Sequence, residues 1–170
     1  RDFEAADGLG EDVGGIVAFG TTENQVSDVE IRNNLVTDIN GLTSGGGAVG
    51  ISAQGNADGI TVKDNTVRNI GLGETSYALG VAVRGSDSAD SLPSGVNIEN
   101  NDISAIRANS GDLGDDTNGT PYKGVGIENE ADATAITAAQ NNITDADLLA
   151  ENKDTDNVLV LSNNWWADVA

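Results

Sequence analysis

The chain repeats one pattern five times, each time around a pair of polar residues whose second member is asparagine. The five segments are VEIRNNLVTDI (29–39), ITVKDNTVRNI (60–70), VNIENNDISAI (96–106), ITAAQNNITDA (136–146) and LVLSNNWWADV (159–169). Apolar residues stand five and three positions before that asparagine, and two and five positions after it. Before the polar pair, apolar residues therefore recur at every second position. This spacing is typical of β-strands, whereas a helix needs apolar residues three and four positions apart.

A second set of short apolar segments precedes these five. It reads GIVAF (15–19), GAVGI (47–51), LGVAV (79–83) and KGVGI (123–127). Each repeat is therefore predicted to contain a strand, a loop, a second strand, a bend at the polar pair, a short third strand and another loop. A repeat of this size cannot bury its own apolar residues, so the repeats have to stack. The stacking that places equivalent residues over one another is a parallel β-helix of roughly four to five turns.

The repeated asparagine is predicted to form a ladder along the inside of the stack. Its copies are Asn34, Asn65, Asn101, Asn141 and Asn164. The bend between two strands needs a left-handed residue, a conformation that asparagine tolerates better than most residues. The side-chain amide carries donors and an acceptor, so each copy can bond to the copies above and below it. An interior amide without partners costs on the order of 1–3 kcal/mol, so the ladder has to be continuous.

The five segments and the closing NNWW (163–166) resemble the repeats of the right-handed parallel β-helix family, whose fold is pectate-lyase-like. The resemblance covers roughly residues 15–169, and it departs from the family pattern at Ala167, where glycine usually follows the two tryptophans. It implies an all-β, right-handed parallel β-helix solenoid with an internal asparagine ladder. It implies no single activity, because the family includes lyases, hydrolases, epimerases and non-catalytic surface proteins.

A single domain is expected from a length of 170 residues. Residues 15–170 form the predicted β-helix domain, and residues 1–14 lie outside the repeat as an N-terminal cap or a partial first turn. Residues 1–14 show no apolar stretch of the kind found in signal peptides. Because the ends of a β-helix expose unpaired backbone groups, the chain is expected to be a piece of a longer protein or a unit whose ends meet partners.

The charge and composition exclude several classes of function. The chain has 28 acidic and 8 basic residues and a formal net charge of −20, which repels the phosphates of nucleic acids. It has no cysteine and no histidine, which excludes disulfides, thiolate nucleophiles, a Ser-His-Asp triad and zinc sites built from these residues. No apolar run approaches the ~18 residues that a membrane span needs.

The acidic, lysine-poor composition resembles that of proteins from extremely halophilic archaea. Concentrated salt screens the repulsion between carboxylates, since the Debye length falls to ~3 Å at 1 M. In dilute buffer the same repulsion destabilises the compact state. A disordered acidic chain is the alternative, and the 38% of hydrophobic residues, which recur in register, argue against it.

The third repeat has two long loops, residues 84–95 and 107–124, and the second carries candidate metal ligands. Connections of this length are uncommon and often functional. Asp112, Asp115 and Asp116 are candidates for binding calcium, which takes roughly six to eight oxygen ligands. A solvated acidic loop is the alternative interpretation, because the spacing of the three aspartates matches no EF-hand loop. No cofactor other than calcium is expected.

Three residues are candidates for contact with sugars. Asn118 and Asn142 fit the Asn-x-Thr pattern of glycan attachment, which also arises by chance in a chain this rich in asparagine. Trp165 is expected to face outward, where its ring can stack on a sugar, while alternation turns Trp166 inward. A hydrophobic plug at the end of the stack is the alternative role of the pair.

The sequence assigns no catalytic residue, because the histidine-containing motifs of β-helix hydrolases and epimerases are absent. The expected function is that of a non-catalytic, extracellular or cell-surface domain with a structural, adhesive or assembly role. Its partners would be further copies, end to end, or other domains of a parent chain. One alternative is a polysaccharide lyase or epimerase with the third-repeat carboxylates and Arg84 or Arg107 at its site. The other is a module that binds polysaccharide or glycan through Trp165 and the third-repeat loops.

Overall fold

The computed structural model describes residues 13–40, 46–71, 75, 77–85, 92–108, 123–129, 133–154 and 156–166. All regular elements in these ranges are β-strands, and none of the described residues form a helix that could cross a membrane. The described strands make three five-stranded sheets and one two-stranded sheet, in which neighbouring strands run parallel. The prediction of an all-β chain is confirmed, and the stacked parallel sheets are consistent with a parallel β-solenoid.

The first sheet contains the strands that the sequence places ahead of each polar pair. In order they are β1 (Val13–Gly20), β5 (Ala48–Gly55), β9 (Ala78–Arg84), β12 (Gly124–Asn129) and β15 (Leu148–Asn152). The glycine-containing segments predict four of them, and β1 starts two residues before the expected domain boundary. The sequence pattern does not predict β15, because its segment LLAEN has no glycine and follows the preceding strand after the single residue Asp147.

The second and third sheets contain the strands on either side of the polar pair. The second sheet has the order β3 (Glu30–Arg32), β7 (Thr61–Lys63), β10 (Asn97–Glu99), β13 (Ile136–Ala139), β16 (Leu159–Ser162). The third sheet has the order β4 (Leu35–Ile39), β8 (Thr66–Ile70), β11 (Asp102–Ile106), β14 (Asn142–Ala146), β17 (Trp165–Trp166). The small sheet pairs β2 (Val26–Ser27) with β6 (Ala57–Asp58). Each repeat thus adds one strand to each large sheet.

The strand register places the repeated apolar residues in continuous columns that face the core. One column of the second sheet is Ile31, Val62, Ile98, Ala138, Leu161. One column of the third sheet is Val36, Val67, Ile103, Ile143, Trp166. The members from the second, third and fourth repeats are 0% exposed, as the repeat spacing predicts. Leu161 and Trp166, on strands at the edge of their sheets, are 43% and 39% exposed.

The first four repeats share three equivalent positions at which the backbone is left-handed. In the first repeat these are Asp28, Asn33 and Asp38, with φ of 54°, 54° and 60°. The bend at the polar pair falls on its first member in all five repeats, with φ between 52° and 57°. The expectation that the ladder asparagine takes this conformation is therefore wrong. The exposed residue before it makes the bend, and the asparagine that follows points inward.

A column of glycines lets the first sheet approach the third sheet closely. Gly15, Gly50, Gly80 and Gly126 occupy equivalent positions in four successive strands. A Cβ atom on Gly80 would lie 2.5 Å from the carbonyl oxygen of Gly126 and 2.6 Å from Cγ2 of Ile103. Both distances are too short for a carbon atom, so this column has no room for any side chain.

Replacing Gly80 by alanine is expected to lower the free energy of unfolding by about 2 kcal/mol, because overpacking a tight interior costs roughly 1–3 kcal/mol. Gly14→Ala is the control in the same sheet. Its Cβ would meet only Cγ2 of Val17, an exposed side chain that can turn away, so a change within about 0.5 kcal/mol is expected. Urea unfolding in molar salt, followed by circular dichroism, measures both. Equal stability of the two variants would contradict the close approach of the sheets.

Candidate functional site

The asparagine ladder runs through all five repeats as a chain of side-chain hydrogen bonds. Nδ2 of each asparagine donates to Oδ1 of the asparagine in the next repeat. The four distances are 3.1 Å (Asn34 to Asn65), 3.0 Å (Asn65 to Asn101), 2.9 Å (Asn101 to Asn141) and 3.0 Å (Asn141 to Asn164). The three central members are each 1% exposed. The structure therefore brings together the five asparagines that the sequence singles out.

The remaining polar atoms of the three central asparagines are also bonded. The backbone N–H of Asn101 donates to the same Oδ1 of Asn141, at 3.0 Å, and the second Nδ2 hydrogen donates to the carbonyl of Val62, at 2.9 Å. Asn65 and Asn141 repeat this pattern. Because the central amides are satisfied by each other and by the backbone, they have no donor or acceptor left for a ligand. Their role is to hold the strands in register.

A second, shorter asparagine pair lies in the first sheet. Nδ2 of Asn129 donates to Oδ1 of Asn152 at 2.9 Å, and Asn152 donates in turn to the carbonyls of Asp154 and Asn157. Asn129 is 1% exposed, and its Oδ1 has no partner among the described residues. The sequence reasoning missed this pair. The signal that was present is that GVGIEN and LLAEN both end in Glu-Asn.

Two glutamates stand side by side in the register of β12 and β15. Glu128 is 2% exposed and forms an ion pair with Lys153 at 2.9 Å, while Glu151 forms one with Lys123. Two carboxylates and two ammonium groups therefore balance in charge within this cluster. Sequence reasoning missed this cluster too, although it holds two of the chain's three lysines.

The third lysine is also paired. Nζ of Lys63 lies 2.9 Å from Oε1 of Glu99 on the adjacent strand of the second sheet. The hydrogen bond and the charge of Glu99 raise the pKa of Lys63 above its ordinary value. Lys63 therefore stays charged at neutral pH and is not a candidate for a proton-abstracting base.

Asp154 holds the turn that follows β15. Its Oδ1 accepts hydrogen bonds from the backbone N–H groups of Asp156, at 2.7 Å, and Asn157, at 3.0 Å. Burial raises the pKa of Asp154, but these hydrogen bonds to the charged form outweigh it, and the pKa lies below its ordinary value. Across the described ranges, no three acidic side chains come together as a group able to hold a metal ion.

The sequence-derived ligand candidates divide into two groups. Asp112, Asp115, Asp116 and Asn118 lie outside the described residues. Asn142 begins β14, is exposed, and donates from Nδ2 to Oδ1 of Asp102 at 2.9 Å.

The two tryptophans lie on β17, in register with Asn142 and Ile143. Trp165 shares the exposed column of Asn142 and is 69% exposed. Trp166 shares the buried column of Ile143 but is itself 39% exposed, because no described strand covers it. The expected directions, Trp165 outward and Trp166 inward, match the register.

The two arginines considered for a lyase site are both engaged. The guanidinium of Arg84 lies 5.2 Å from the ring centre of Tyr77 and donates to its hydroxyl at 3.1 Å. Arg107 forms an ion pair with Asp145 on the neighbouring strand of the third sheet. These contacts join adjacent repeats or order the entry to a strand.

Comparison with known proteins adds no relative to this picture, because no family model, curated protein or solved structure matches the chain. The function therefore has to be argued from the described residues themselves.

Proposed function

We propose that the chain is a non-catalytic, right-handed parallel β-helix domain of an extracellular or cell-surface protein from a halophile, with a structural, adhesive or assembly role. The observation that carries the proposal is the unbroken asparagine ladder. It joins all five repeats by side-chain hydrogen bonds of 2.9–3.1 Å, and its buried amides are satisfied within the stack. A continuous buried network of this kind favours a rigid support over a site that has to exchange ligands.

The ion pairs of the described residues support a non-catalytic role. All three lysines of the chain are bonded to glutamates: Lys63 to Glu99, Lys123 to Glu151, and Lys153 to Glu128. General acid–base catalysis needs a group that can exchange its proton near neutral pH. A lysine that is bonded to a carboxylate is poorly placed for that task.

The net charge supports the proposed high-salt, extracellular environment. A charge of −20 on 170 residues, with only three lysines, keeps a protein soluble where dissolved ions screen its surface. The same surface would repel anionic partners such as nucleic acids in dilute solution.

Incubation with acidic polysaccharides in molar sodium chloride, with and without calcium, tests the non-catalytic role. Lyase action leaves an unsaturated sugar that absorbs ultraviolet light, and we expect no increase in that absorbance under any condition. Hydrolase or epimerase action is followed by chain length and by proton spectra of the polymer. Product formation above that of a heat-unfolded sample would overturn the proposal in favour of a carbohydrate-active enzyme.

Binding of a carbohydrate is the second candidate function, and the exposure of Trp165 favours it. Its indole ring is 69% exposed beside the polar side chain of Asn142, and such a ring can stack on a sugar. Titration with oligosaccharides, followed by tryptophan fluorescence, should then show saturation that Trp165→Ala abolishes. A flat titration with both neutral and acidic oligosaccharides would remove this candidate.

A further inference from the structure

Several of the outermost strands of the large sheets carry exposed apolar side chains. We call β1, β3 and β4 the first edge, and β15, β16 and β17 the last edge. Strands β1, β16 and β17 contain no charged residue. Most large apolar side chains that are exposed in the described ranges lie at these two edges: Val17, Phe19, Leu35, Leu148, Val158, Val160, Leu161, Trp165, Trp166. Solvent-facing edges usually carry charges that block further strand pairing. Strands β1, β16 and β17 lack such charges, whereas β3, β4 and β15 each carry at least one.

The ladder has a direction, which makes the two edges complementary. In each step the earlier asparagine donates both its backbone N–H and its Nδ2 to Oδ1 of the later one. Within the described residues, Oδ1 of Asn34 therefore accepts nothing, and the backbone N–H of Asn164 has no ladder oxygen to reach. The acceptor at the first edge is Oδ1 of Asn34. The donors at the last edge are the backbone N–H and Nδ2 of Asn164, and in the other steps of the ladder these same two groups bond to an asparagine Oδ1.

We infer that the last edge of one copy docks onto the first edge of a second copy of this chain, so that the ladder continues across the junction. This inference rests on the proposed assembly role and names its partner. The backbone N–H and Nδ2 of Asn164 donate to Oδ1 of Asn34 in the second copy. The contact joins two different surfaces and does not close on itself, so it propagates into linear oligomers.

The side chains at the two edges match in the same register. Continuing the columns by one strand places Trp165 next to Leu35, Trp166 next to Val36, and Leu161 next to Ile31. These are contacts between apolar groups. The reverse arrangement, with two last edges face to face, would oppose the N–H groups of the two Asn164 residues and leave both donors without an acceptor.

Cysteine cross-linking tests the direction of the contact. Arg32 and Ser162 belong to one outward column of the second sheet, at its first and last strands. The chain has no cysteine, so Arg32→Cys and Ser162→Cys each carry a single thiol. Neighbouring strands lie about 4.8 Å apart, within the ~4.4–6.8 Å between Cα atoms that a disulfide spans. Mixing the two variants in molar salt under oxidation should give a mixed dimer, and neither variant alone should give one.

Sedimentation measures the association itself, and a charge variant supplies its control. Val160 and Glu30 occupy one outward column, so Val160→Glu places two carboxylates opposite each other at the junction. We expect the wild-type chain to form a concentration-dependent series of oligomers in molar salt. Val160→Glu should weaken this association by about threefold to fivefold, and the uncharged Val160→Gln should keep most of it.

The outcomes separate this inference from the proposed function. A chain that is folded by circular dichroism yet monomeric at every concentration in molar salt would overturn the docking and leave the non-catalytic β-helix role intact. Cross-linking of Ser162→Cys with itself would also overturn it, because it indicates the reverse arrangement. Turnover of a polysaccharide would overturn the proposed function without changing either result.

Discussion

Asn101→Leu is expected to lower the free energy of unfolding by about 4 kcal/mol, because the substitution cuts the ladder at its centre. Asn101 is 1% exposed and bonds to Asn65 on one side and to Asn141 on the other. Leucine has the same branched shape but cannot accept from the N–H and Nδ2 of Asn65, nor donate to Oδ1 of Asn141. Each buried group left without a partner costs roughly 1–3 kcal/mol, and the apolar side chain offsets only part of the total.

The matched control is Asn142→Leu, the same substitution one residue beyond the next ladder position. Asn142 is exposed, and its side chain makes one hydrogen bond, to Asp102. A loss of less than about 1 kcal/mol is expected there. Denaturant unfolding in molar salt gives both values. If the two variants lost equal stability, the ladder would not be the buried network that the structure shows.

A large dependence of stability on salt is the second expected result. Raising sodium chloride from about 0.1 M to about 3 M shortens the Debye length from ~10 Å to under ~3 Å. Repulsion among the carboxylates of a chain with a net charge of −20 should fall accordingly. We expect the midpoint of thermal unfolding to rise by at least about 10 °C, which corresponds to roughly 3 kcal/mol for a chain of this size.

The control separates screening from the general stabilising effect of cosolutes. Sodium chloride and sodium sulfate at equal ionic strength both screen the charges, so sulfate should give at least the rise seen in chloride, whereas sucrose, which strengthens burial without screening charges, should not replace either salt. Equal midpoints in dilute and concentrated sodium chloride would contradict the proposal of a halophilic protein, while leaving the fold unaffected.

The sequence predicts the strands around the polar pair well, because two signals coincide there: the repeated polar pair itself, and apolar residues at fixed offsets from it. Apolar residues such as Ile98 and Ile103 sit at fixed offsets from Asn101, and stacking turns those offsets directly into columns. The strand β15 lacks both signals. Its segment LLAEN has no glycine, and it became a strand because β12 offers it a parallel partner, which is information from the stack rather than from the segment.

The candidate site was less predictable than the fold, since it depends on which side chains meet across strands. The pairing of Glu128 with Glu151 follows from the register of β12 and β15, which the sequence does not reveal without β15. The same holds for Asn129 and Asn152. The left-handed conformation was assigned to the wrong member of each pair because both members are polar. They differ only in that the second faces the interior of the stack, which the sequence does not show.

The unequal separations along the ladder mean that the backbone between bonded members can change length without disturbing the stack. Bonded asparagines are 31, 36, 40 and 23 residues apart, yet the four bonds differ by only a few tenths of an ångström. Lengthening a flexible connection costs little, about 0.6 kcal/mol for each doubling. Peptide segments inserted between strands are therefore expected to leave the stack in place, with successive insertions separated by the distance between neighbouring strands.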